Sequence, residues 1–123
     1  MRLTQKEFQG LVLQAVQELP SPIMNAMENV AILVEEWPSD DVLETAGVES
    51  RYDLLGLYTG VPLPEREGGL PLLPDTITLF QGPIESACSS REDLVREVRV
   101  TLLHEVGHYM GMDEEDLDRM GYR

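Results

Sequence analysis

The sequence holds one cysteine, two histidines, and nine lysines and arginines against 23 aspartates and glutamates. Each shortage removes a class of explanation. With Cys88 alone, no disulfide can close within the chain, so the core must hold without covalent staples, as in a reducing compartment. Cys88 reads as a small packed side chain. A net charge of −14 lacks the clustered cations that a phosphate backbone demands, which argues against nucleic acid and against anionic membrane surfaces. The longest unbroken apolar run is Val30-Ala31-Ile32-Leu33-Val34, far short of a membrane span. Met1 to Glu7 contains no apolar signal-peptide core, so a cytoplasmic location is expected. What remains is ordinary for a folded domain, 42% hydrophobic and 26% charged over 123 residues, and one domain over 1–123 is expected.

Both histidines fall in one stretch, His104-Glu105-Val106-Gly107-His108. On a helix, residues at i and i+4 stack on one face, so the two imidazoles can reach a single cation, as the H-E-x-x-H zinc pattern requires. Glu105 projects to the flank of that face, where a carboxylate can move protons without ligating the metal. An incidental pair of histidines on a surface helix is the plain alternative. The restriction of histidine to this stretch, its apolar helical flanks and its continuation favour metal. A catalytic zinc takes three protein ligands. Gly111 can adopt the left-handed conformation that ends a helix, and Glu114, three residues beyond it, is spaced to return as the third ligand. Spacing alone leaves Asp113 open. Asp113 also starts an Asp-x-x-Asp pattern with Asp116 that reads as a helix cap, so Glu114 is favoured as ligand.

The rest of the chain reads as scaffold. Thr4-Gln5-Lys6-Glu7 is a capping box, and Phe8, Leu11, Val12, Ala15, Val16 and Leu19 recur at helical spacing, predicting a helix over 4–19. A short helix over 22–28 follows Pro20. Val30–Val34 fits a strand buried on both faces. Trp37 reads as packing beside its end, and Ser39 caps a brief helix stopped by Gly47. Leu54–Tyr58 is a second strand, and the Pro- and Gly-rich loop 59–74 has the length of a flap over a cleft. Thr76–Phe80 alternates polar and apolar, which reads as a half-exposed strand, and at a sheet edge it could pair with an extended peptide. Gln81-Gly82-Pro83 reads as a turn. Ser90-Arg91-Glu92-Asp93 opens a long helix ending near Met110, with Leu94, Val95, Val98, Leu102, Val106 and Tyr109 inward and Glu92–Arg96 paired outside. Leu117 and Met120 give a last helix an apolar side.

With these residues assembled, the chain resembles the zincin metallopeptidases, and more narrowly a family of small bacterial zincin-like proteins. The likeness runs through Asn29-Val30-Ala31, Leu55-Gly56-Leu57-Tyr58, Gly60-Val61-Pro62-Leu63, Leu73-Pro74-Asp75, Ile77-Thr78-Leu79, Gly82-Pro83-Ile84-Glu85 and Leu103-His104-Glu105. It implies a mixed α/β (α+β), minimal zincin-like fold: a small mixed sheet of about three strands beside a long active-site helix. It also implies one zinc ion per chain at His104 and His108, with Glu105 as base, and a peptide or protein substrate. The third ligand position, often aspartate in that family, is Glu114 here. Tyr58, Tyr109 and Tyr122 are candidate oxyanion donors by residue type. Two rivals stand beside a zinc peptidase: a zinc-binding protein without turnover, and a metal-free interaction domain. A two-histidine, one-carboxylate site would also suit manganese or iron.

Overall fold

A computed structural model describes residues 2–61 and 75–120. Its elements run in the order α1 (Gln5–Gln17), α2 (Ser21–Ala26), β1 (Val30–Glu35), α3 (Asp40–Ala46), a 3-10 turn (Arg51–Asp53), β2 (Gly56–Thr59), β3 (Asp75–Phe80), α4 (Gln81–Ser86), α5 (Arg91–Tyr109) and α6 (Glu114–Met120). The three strands form one mixed sheet in the order β1-β3-β2. β1 lies parallel to β3 with Val30 opposite Asp75, and β2 lies antiparallel to it with Gly56 opposite Leu79. The helix α5 packs against α1, β2 and β3, giving the mixed sheet and long helix that the sequence implies.

The helices start where their caps dictate. The Glu7 amide donates to Thr4 Oγ1 at 3.1 Å and the Thr4 amide to Glu7 Oε1 at 3.0 Å, satisfying donors that a helix start leaves open. The Asp93 amide donates to Ser90 Oγ at 3.1 Å and fixes the start of α5. One core joins the sheet to the two long helices. Phe8 of α1, Ile77 and Leu79 of β3, and Leu94 and Leu102 of α5 are all fully buried. Each such side chain contributes about 1.5–3 kcal/mol, which holds α5 rigidly enough to carry a site.

Four sequence expectations change. Thr76–Phe80 is the central strand rather than an edge, and four of those five residues are buried. Alternation reports the chemistry of two faces, not the position of a strand in its sheet, and here the threonine face is covered as well. Val30–Val34 is instead an edge strand, with Leu33 exposed. Gln81-Gly82-Pro83 opens the helix α4 rather than a turn. Proline is tolerated in a first helical turn because its missing N–H would have no partner there. A Cβ on Gly82 would lie 2.3 Å from the Trp37 ring, so that glycine is what lets Trp37 pack down on α4. On the outside of α5, Arg96 meets Asp93 at 3.4 Å rather than Glu92. Cys88 is buried, as a packed side chain would be. Most of the loop 59–74, and the side chains of Leu117 and Met120, lie outside the described residues. No described helix is long and apolar enough to cross a membrane.

Candidate metal centre

The end of α5 determines the geometry. Gly111 takes a φ of 86°, a conformation that costs a side-chain-bearing residue energy. The Gly111 amide donates to His108 O at 3.0 Å and the Met112 amide to Gly107 O at 2.8 Å, the paired bonds of a Schellman ending. The chain reverses there and α6 begins at once. The Asp116 amide donates to Asp113 Oδ1 at 2.8 Å and the Asp113 amide to Asp116 Oδ2 at 3.2 Å, so Asp113 caps α6. Its carboxylate is thereby engaged, and the next side chain, Glu114, turns back toward α5.

His104 and His108 stack on one face with ring centroids 4.7 Å apart. Their Nε2 atoms face each other at 3.0 Å. Two imidazole lone pairs converge this way only with a proton or a cation between them. Glu114 Oε1 stands 3.4 Å from His104 Nε2 and 3.1 Å from His108 Nε2. The three atoms therefore form a triangle with edges of 3.0, 3.4 and 3.1 Å. Ligands about 2.0–2.1 Å from a tetrahedral zinc lie about 3.3 Å from one another. The donor set thus has the chemistry and the size of one face of a zinc tetrahedron.

Glu105 faces the same region from inside. One of its carboxylate oxygens lies within 4.8 Å of ring nitrogens of both histidines. Its Oε1 accepts the Tyr58 amide of β2 at 2.9 Å. The Phe80 amide donates to Leu55 O at 2.9 Å, so by the alternation of an antiparallel pair Leu57 bonds β3 while Gly56 and Tyr58 turn their backbone groups outward. Glu105 takes one of those outward amides. Burial pushes the Glu105 carboxyl up, and Glu114 adds to this, while His108, His104 and the Tyr58 amide pull it down. Gly56 allows the approach of strand and helix, because a Cβ there would meet Thr101 Cγ2 at 2.8 Å and Glu105 Cγ at 3.2 Å.

The site opens into a cleft of about 570 Å³ bounded by His104, His108, Glu114, Tyr58 and the walls at Val48 and Leu57. The candidate oxyanion donors point elsewhere. The Tyr58 hydroxyl donates to Asp75 Oδ2 at 3.0 Å, and the Tyr109 hydroxyl to Ala26 O at 2.7 Å. Tyr122 lies outside the described residues. Trp37 is a packing residue, edge-on to Tyr52 and covered by Arg51. Sequence reading missed the bond from Tyr58 to Glu105, which no local pattern encodes. Glu97 and Thr101 share the stripe of α5 that carries His104 and His108.

The profile of a family described as zincin-like metallopeptidases matches residues 27–122. Among solved structures, a conserved hypothetical protein from T. thermophilus is similar, with 26% sequence identity and a TM-score of 0.60 over 88% of this chain and 94% of that one. No curated protein matches the chain.

Proposed function

The chain belongs to the zincin-like metallopeptidase family, and from that premise we propose that it is a zinc-dependent peptidase. His104, His108 and Glu114 would hold one zinc ion, and Glu105 would act as general base and then acid. The observation that carries this reading is the donor triangle of two Nε2 atoms and one Glu114 oxygen, sized for a tetrahedral cation. When bound, zinc would supply Lewis acidity toward a water and a peptide carbonyl.

The protein's own groups supply the remaining work. The Tyr58 amide anchors one oxygen of Glu105, leaving the other to accept a proton from water and deliver it to the leaving amine. A buried carboxyl beside the centre can serve both directions of that transfer. What supports an extended peptide as substrate is the outer edge of β2, where Gly56 turns its backbone groups away from β3 beside Glu105. β3, being central, offers no such edge. The single cysteine suits a cytoplasmic setting.

Glu105→Gln tests the reading. It should keep zinc and lower peptide hydrolysis by about 10²–10⁴-fold. Turnover that survives the substitution would remove Glu105 from its role. Zinc binding without cleavage of any peptide in a broad library would favour the second reading, a zinc-binding protein without turnover. One observation favours that second reading: both described tyrosine hydroxyls near the site donate to other acceptors.

A further inference from the structure

Beside the centre lies a second cavity of about 240 Å³, running along α5 from His104 and Glu105 to Glu97, with Asp53 to Gly56 as its opposite wall. Glu97, Thr101, His104 and His108 follow one stripe of the helix, and the rise along it from Glu97 to His104 is about 10 Å. A long basic side chain on a backbone held at the centre could bridge that distance where the Glu97 carboxylate extends to meet its head. Its lining includes apolar Val100 and Leu54 and, besides Glu105, the acidic residues Glu97 and Asp53. Among the described residues no lysine or arginine pairs with Glu97 or Asp53. Glu97 is half-buried, and no cation among the described residues compensates its burial.

Thr101 supplies an independent sign of a ligand. It is 6% exposed, and no described group hydrogen-bonds its hydroxyl. Among the described residues no fully enclosed side-chain oxygen lacks a partner, so that hydroxyl reaches the solvent of the cavity it lines. A hydroxyl so placed can accept a hydrogen bond from a bound donor.

We propose that this cavity is a subsite for a lysine or arginine side chain of a peptide occupying the His104–His108–Glu114 centre. The inference rests on the peptidase reading for the identity of that peptide. The aliphatic stem would lie along Val100 and the cationic head would meet Glu97, Asp53 and the Thr101 hydroxyl, the division of a long basic side chain between apolar and polar surroundings. Charge-assisted hydrogen bonds at a partly buried carboxylate give such a site its discrimination.

The test measures binding and cleavage separately. Capped hexapeptides differing only in lysine, arginine, norleucine or glutamate at each position in turn are titrated into the zinc-loaded Glu105→Gln protein and offered to the zinc-loaded parent. At one position, lysine or arginine should bind about tenfold more tightly than norleucine. The preference should vanish in Glu105→Gln/Glu97→Gln and shift toward glutamate in Glu105→Gln/Glu97→Lys. Equal affinity for lysine and norleucine, or a preference that survives Glu97→Gln, overturns the subsite, and cleavage by the parent would still uphold the peptidase. A lysine preference that depends on Glu97, without cleavage by the parent, upholds the subsite and overturns hydrolysis. Binding of no peptide overturns both.

Discussion

Gly56→Ala probes how β2 is seated on the site. A Cβ at this position would lie 2.8 Å from Thr101 Cγ2, 3.2 Å from Glu105 Cγ and 3.3 Å from Leu79 Cδ2. Thr101 and Leu79 are buried and Glu105 is anchored to Tyr58, so relief requires β2 and α5 to separate by several tenths of an ångström. Overpacking of this kind costs about 1–3 kcal/mol. With an unfolding entropy of about 2.1 cal/mol/K per residue, 123 residues give about 0.26 kcal/mol/K. A loss of about 2 kcal/mol then lowers the melting temperature by about 8 °C. Gly10→Ala is the control. Gly10 lies within α1 with nothing within 4 Å of its Cβ position, so alanine there should raise stability by about 0.5–1 kcal/mol. Calorimetry reads both. In Gly56→Ala the Tyr58 amide should also exchange faster, as its bond to Glu105 lengthens, while zinc affinity changes little because no ligand sits on β2. A Gly56→Ala protein as stable as its parent, with Tyr58 equally protected, would refute the tight seating of β2 on Glu105.

Other perturbations separate the roles of neighbouring groups. Glu114→Ala removes the proposed third ligand, so it should lower zinc affinity by more than the roughly tenfold to hundredfold that losing a group behind a ligand costs. Asp113→Ala should chiefly cost about 1 kcal/mol of stability through the α6 cap; competition with a chelating dye and thermal melts tell the two apart. Hydrogen bonds hold three cap carboxyls below their ordinary range: the Thr4 amide at Glu7, the Ser89 hydroxyl at Asp93 and the Asp113 amide at Asp116. Their stabilisation is present above the ordinary carboxylate pKa and is lost as pH falls through the depressed values, so the urea midpoint should drop as pH falls below the ordinary carboxylate pKa of about 4. Glu97 has the opposite sign. Burial raises its pKa, so its ionisation removes stability as pH rises through the raised value, and Glu97→Gln should be more stable than the parent at neutral pH. A less stable Glu97→Gln would show that the carboxylate has a structural partner.

Local signals were readable in the chain and long-range ones were not. The boxes at Thr4–Glu7 and Ser90–Asp93 and the helical spacing of Leu94, Val98, Leu102 and Val106 locate α1 and α5 because a helix is decided by residues three and four apart. His104, Glu105 and His108 come with α5 for the same reason. The return of Glu114 depends on one glycine conformation and one cap, both encoded within six residues, and so it too was visible. Strand position was hidden. Thr76–Phe80 has the alternation of a half-exposed strand, but whether its threonine face meets solvent depends on β1 and β2, which pair with it from distant parts of the chain. Val30–Val34 fails conversely, since an apolar run does not reveal how much cover its outer face receives. The Tyr58–Glu105 bond and the cavity between Asp53 and Glu97 need the same long-range pairing and have no sequence signature of their own.

The central claim is that His104, His108 and Glu114 form one metal centre. Its most direct test is zinc stoichiometry and affinity on metal-stripped protein, with His108→Ala measured alongside. About one tightly bound zinc per chain is expected, lost in the variant. Weak binding, or tight binding that survives His108→Ala, would contradict it.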